Sequence, residues 1–225
     1  TMIIAEQKPF KDIYESVKES DKLLVLGCGT CVTVCMAGGE KEVGVLANQI
    51  RLAAGKDERE IEVTEHTLTR QCDEEFFDET ASEKINEVDA VLSLGCGVGV
   101  QHIVQLYPDA VVRPGLNTQF FGASLQQGVW SERCAGCGEC LLDRFEGICP
   151  IARCSKSLMN GPCGGSSDGM CEVDPENTEC AWQLIYDRMK RLNKLDKLMD
   201  YQPPKDWSHD RDGGPRSVTR KDVLF

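Results

Sequence analysis

Apolar and polar positions along the first half of the chain switch between two periods. Leu23-Leu24-Val25-Leu26 is an unbroken apolar run ended by Gly27, which predicts a short buried strand. Ala90-Val91-Leu92-Ser93-Leu94 is a second such run, and both close on the letters Leu-Gly-Cys-Gly, at 26–29 and 94–97. Phe10, Ile13, Tyr14 and Val17 recur at helical spacing and predict a helix over 9–20. Val43, Leu46, Ala47, Ile50 and Ala54 mark one face of a second helix, stopped by Gly55. Ile61-Glu62-Val63-Thr64 alternates like a strand, 77–88 and 98–107 read as helices, and Ala110-Val111-Val112 reads as a fourth strand.

Strand and helix in alternation predict a parallel sheet with right-handed crossovers. By analogy with doubly wound folds, the order is 2-1-3-4. The ends of the first and third strands are then neighbours at the switch point, where ligands collect. The fold class is therefore α/β. An N-terminal parallel-sheet domain spans 1–121, a cysteine-rich, ferredoxin-like metal-binding domain spans 122–200, and an extended tail spans 201–225. The tail carries Pro203-Pro204, Trp207 and Gly213-Gly214-Pro215, and reads as wrapping a neighbour or disordered.

Cysteine content changes the picture most. The 225 residues include thirteen cysteines, an odd number, and several stand at C-x2-C spacing. The opening Met2-Ile3-Ile4-Ala5-Glu6 is no secretory signal. These features favour metal ligation in a reducing, cytoplasmic setting over a secreted disulfide framework. The net charge of −12 argues against nucleic acid or an anionic membrane surface as partner. No apolar run is long enough to insert in a membrane.

The first strand leads directly into a C-x2-C-x3-C run, Cys28, Cys31 and Cys35, and the third strand leads into Cys96. Four thiolates at one sheet edge predict a 4Fe–4S cluster. Cys72, in the loop after the second strand, competes with Cys96 for the fourth position; Cys96 is favoured because it leaves its strand directly. Either cysteine alone also fits a buried structural thiol. Gly27-x-Gly29 and Gly95-x-Gly97-x-Gly99 are incomplete forms of a dinucleotide fingerprint and carry little weight. His66 and His102 are isolated and read as ordinary surface or core residues.

Eight more cysteines follow: Cys134, Cys137, Cys140, Cys149, Cys154, Cys163, Cys171 and Cys180. Cys134-x2-Cys137-x2-Cys140 matches the start of a bacterial ferredoxin run, and Cys149-Pro150 resembles its closing Cys-Pro at longer spacing. Eight thiolates suffice for two sites. One partition is Cys134, Cys137, Cys140 with Cys180, and Cys149, Cys154, Cys163 with Cys171. A second 4Fe–4S cluster is expected here, with the other site filled by a third cluster or by zinc. Asn160-Gly161-Pro162-Cys163-Gly164-Gly165 is a turn-rich loop. Trp182, Ile185, Met189, Leu192 and Leu195 form an apolar helical stripe.

Two passages carry a family resemblance. Cys137-Gly138-Glu139-Cys140 through Cys149-Pro150, and 154–165 closing at Cys171-Glu172-Val173, resemble the cysteine-rich C-terminal domain associated with methylenetetrahydrofolate reductases. The segment from Gly27-Cys28-Gly29-Thr30-Cys31 to Lys41 is similar to the small cysteine-rich subunit of the acetogen enzyme. The resemblance implies a partner, a flavin-containing barrel subunit that holds folate, in reductive one-carbon metabolism. It also implies ferredoxin or another redox protein as electron donor. The chain is too short for the barrel itself. Its implied role is a non-catalytic, electron-transfer subunit that is inactive on folate alone. A zinc-stapled assembly subunit is the alternative. A self-standing thiolate enzyme is disfavoured, because no His–Cys or carboxylate constellation is evident.

Overall fold

The computed structural model describes residues 2–223 and divides between Ser131 and Glu132 into two units. The first runs β1 (Met2–Gln7), α1 (Phe10–Val17), β2 (Lys22–Cys28), α2 (Cys31–Val34), α3 (Glu40–Lys56) and β3 (Glu62–Leu68). It continues with α4 (Glu79–Asn86), β4 (Ala90–Ser93), α5 (Gly97–Leu106), β5 (Val112–Pro114), β6 (Leu116–Gln126) and β7 (Val129–Cys134).

Four parallel strands form the main sheet in the order β3-β2-β4-β5. This is the 2-1-3-4 arrangement expected for the four predicted strands. Leu23, Leu24, Val25 and Leu26 are fully buried because β2 is covered on both faces. Leu23 and Val25 pack with Ile13 and Val17 of α1 and Leu46 and Ile50 of α3. Leu24 and Leu26 point the other way, to Ala81 and Ile85 of α4 and Ile103 of α5. The strand period of two thus feeds two helical layers.

Several boundaries differ from the sequence reading. Helix α3 runs through Gly55 to Lys56, and its terminal carbonyls are met by the Asp57 amide. Helix α4 begins only after Asp78, whose carboxylate accepts from the Ala81 amide at 2.8 Å. Strand β3 continues to Leu68, well past Thr64. A second sheet, β1-β6-β7, was not expected. Strand β1 pairs antiparallel with β6 across most of the sequence separation of the unit, with Ile4 and Ala5 turned into the core. Gly122, where composition changes, lies inside β6.

The second unit contains α6 (Pro150–Arg153), the two-stranded antiparallel pair β8 (Met170–Cys171) and β9 (Asp174–Glu179), and α7 (Ala181–Arg191). Its core is small: Leu141, Phe145, Ile151, Cys180, Trp182, Ile185 and Met189. Phe145 meets Trp182 edge to face at 5.4 Å between ring centres. Trp182, Ile185 and Met189 of the predicted stripe form the inner face of α7, whereas Leu192, just past its end, is exposed and Leu195 packs on the core from the next turn. The expected tail is tied to this unit where it begins. The Asn160 side chain donates to Gln202 O and accepts from Gln202 N, both at 2.8 Å. The last two positions of that tail, 224 and 225, lie outside the described residues.

No helix among the described residues is long and apolar enough to cross a membrane.

Candidate metal centre

Three adjacent strands each deliver a cysteine to the carboxyl edge of the main sheet. Cys28 is the last residue of β2, Cys96 caps α5 directly after β4, and Cys72 lies in the turn after β3. Parallel register sets these strand ends side by side, with Leu26 opposite Ser93 and Cys28 opposite Leu68. Cys28 and Cys96 are buried, while Cys72 is exposed. The Cys72 thiol is held above its ordinary pKa, first by partial burial, then by the neighbouring sulfurs of Cys96 and Cys28.

The loop after β2 is held tightly. Thr33 Oγ1 donates to Cys28 O at 2.7 Å, the Cys28 amide donates to Gly38 O at 2.9 Å, and the Gly29 amide donates to Leu68 O at 2.8 Å. Cys31 is the first residue of α2 and lines a shallow recess with Thr30, Arg70 and Cys72. Cys35 takes another direction. It is buried in the core, and its Sγ lies 3.6 Å from the carbonyl oxygens of Ala5 and Val32. Burial is the main cause that pushes its thiol up in pKa. The structure thus places Cys28, Cys96 and Cys72 after three neighbouring strands, sets Cys31 and Cys72 on one recess, and buries Cys35 in the core beside β1.

Gln71, which sequence reasoning passed over, anchors this arrangement. It is 1% exposed. Its Nε2 donates to Leu26 O at 2.8 Å and Gly27 O at 3.0 Å, and its Oε1 accepts from Ser93 Oγ at 2.6 Å. A Cβ at Gly95 would stand 2.2 Å from that Oε1, so the glycine makes room for the carboxamide. The Gly97 amide donates to Thr118 Oγ1 at 2.8 Å. Gly95 and Gly97 thus have structural roles within the protein. His66 lies on β3 with its Nδ1 3.5 Å from Lys84 Nζ. Burial, then Lys84, lowers its pKa. His102 packs edge-on to Phe77.

The cysteines of the second unit fall in three places. Cys134, Cys137 and Cys140 share one loop. There the Gly136 amide donates to Cys134 Sγ at 3.4 Å and Cys137 Sγ donates to Glu139 O at 3.6 Å. Cys149 and Cys154 pack against the core that contains Cys180. Cys163 and Cys171 lie by Ser155 and Lys156. Cys171 Sγ is 3.4 Å from Ser155 Oγ, a contact that leads the lowering of its pKa. The Glu172 carboxyl is held low first by its ion pair with Lys156, then by Cys163. Cys180 belongs to the core of this unit. Lys205 is a second residue that periodicity could not reveal. Its buried Nζ donates to Cys137 O at 2.9 Å and lies 3.7 Å from Glu139 Oε2.

Among the described residues, which include all thirteen cysteines, none forms a disulfide. No group of three or more His, Cys, Asp or Glu among them is closed into a metal-binding arrangement. The donor chemistry fits a thiolate-ligated centre, because soft sulfurs follow three neighbouring strands at the edge where α/β sheets hold ligands.

Among curated proteins and among solved structures, none matches the chain. Residues 113–208 match the family model described as methylene-tetrahydrofolate reductase C terminal. That segment contains all eight cysteines from Cys134 to Cys180 and the Lys205 contact. Residues 113–208 are thus similar to the methylene-tetrahydrofolate reductase C-terminal family.

Proposed function

We propose that this chain is an iron–sulfur electron-transfer subunit of a cytoplasmic methylenetetrahydrofolate reductase complex. The observation that carries the reading is the placement of Cys28, Cys72 and Cys96 after three neighbouring strands of one sheet, in a chain whose residues 113–208 are similar to a reductase C-terminal domain. Its partners are a flavin-containing barrel subunit and, as donor, ferredoxin or another redox protein. When bound, an iron–sulfur cluster supplies one-electron storage at a potential set by its ligands and their hydrogen bonds. The chain's own residues hold and shield that site. Cys28 and Cys96 sit at the rim of an apolar core that excludes water from their inner side, while Cys31 and Cys72 face the recess.

The second unit supports a multi-site relay through eight further cysteines, with the Cys134–Cys140 loop as a 4Fe–4S site in a ferredoxin-like setting. One observation favours zinc, in a stapling role, for the other site: among the described residues, that unit's core is one small apolar cluster.

The test uses the assembled complex with Cys134→Ala or Cys137→Ala. Flavin reduction by the protein donor should slow, while an artificial donor acting directly on the flavin should still work. Equal loss with both donors would make the site structural, and no loss with either would remove it from the path.

A further inference from the structure

We propose that Cys72 is a ligand of the N-terminal centre together with Cys28, Cys31 and Cys96, that Cys35 is a core thiol outside it, and that Gln71 is the residue that positions Cys72. The inference rests on the proposed function only in requiring a metal at this edge; the ligand set is the same for iron or zinc.

Spacing alone groups Cys28, Cys31 and Cys35, but spacing within a loop does not fix where side chains point. Residues 31–34 form a turn of helix that places Cys31 on the recess side with Cys72. Cys35, one turn later, is set deeper than Cys31: it is buried in the core, its Sγ 3.6 Å from carbonyls of Val32 and of Ala5 on β1. Bringing its sulfur to the sheet edge would empty a buried position and forfeit those contacts.

The turn after β3 is fixed from the other side. Gln71 reaches across the ends of β2 and β4 and bonds to both strands, with all three polar contacts at 3.0 Å or less. Its neighbour Cys72 is thereby held at the end of the sheet from which Cys28 and Cys96 leave, on the recess that Cys31 also lines. A buried carboxamide satisfied at both ends holds one geometry, because any displacement leaves polar groups unpaired. It bonds no thiol itself, so its role is placement.

The test uses the full chain purified anaerobically, with iron, zinc and sulfide counted first. Complete absence of metal overturns both this inference and the proposed function. Zinc without iron overturns electron transfer, and the ligand set is then decided by labelling and substitution. Thiol alkylation read by mass spectrometry compares the loaded chain with a chelator-stripped one. Cys72, exposed in the structure, should label after stripping and be protected when loaded, whereas Cys35 should resist in both. Equal labelling of Cys72 in both states overturns its assignment. Cys72→Ser should lose the metal of one centre, about four irons for a 4Fe–4S cluster, while Cys35→Ser keeps it. The reverse pattern, with folding intact by circular dichroism, overturns the proposal. Gln71→Leu should keep much of the metal but shift the paramagnetic signal of the reduced centre. Leu24→Ala, a packing control in the same sheet, should lower the melting temperature and leave that signal alone. A Gln71→Leu signal identical to wild type overturns the positioning role.

Discussion

Gly38 stands where the cysteine loop returns to the sheet, and a Cβ there would meet Leu94 O at 2.0 Å. No side chain fits without moving the end of β4, so Gly38→Ala should destabilise the first unit by about 1–3 kcal/mol in urea unfolding. It should also disturb Cys96 through the shifted strand end. Glu146 is the corresponding fixture of the second unit. Its carboxylate accepts from Lys194 at 2.8 Å and Lys197 at 2.7 Å, which lowers its pKa from 4.5 to about 2. A carboxyl lowered on folding adds stability above its unfolded pKa and loses it as pH falls through the folded value. Glu146→Gln should therefore lower the urea midpoint at pH 7, and the gap from wild type should close between about pH 4.5 and pH 2. A gap independent of pH would assign Glu146 a packing role.

At the scale of elements, strands β2 and β4 were legible because both faces are buried, which leaves an unbroken apolar run. Helices α1 and α3 were legible from their inner faces. The β1-β6 pair was not, since its partners lie far apart in sequence and most of β6 is exposed, with no apolar alternation to read. The cysteines announced themselves by spacing. Gln71 and Lys205 could not, because a polar residue in a loop acquires its role only when strand order and tail path bring partners to it. If the second unit binds metal as proposed, its thin core predicts that binding is part of its folding. Stripping metal should then expose residues after Glu132 to protease and reduce their circular dichroism signal. Unchanged protease resistance would mean that packing alone suffices. Lys205→Met removes the bond to Cys137 O, and should speed cleavage around 201–212 without changing the melting of the first unit.

At the scale of the whole molecule, an acidic chain of −12 net charge carries cysteines at one sheet edge and eight more within the segment similar to the reductase C-terminal family. Such a surface suits docking to proteins with basic patches, and its long-range steering should weaken as salt rises. The central claim is that these cysteines hold redox-active iron. Iron, sulfide and zinc are therefore to be counted on the anaerobically purified full chain, with visible and paramagnetic spectra taken before and after reduction. Iron and sulfide are predicted in equal amounts, about four of each per 4Fe–4S centre, with absorbance that bleaches on reduction. A colourless chain holding zinc alone, spectroscopically silent to reductant, would contradict the claim.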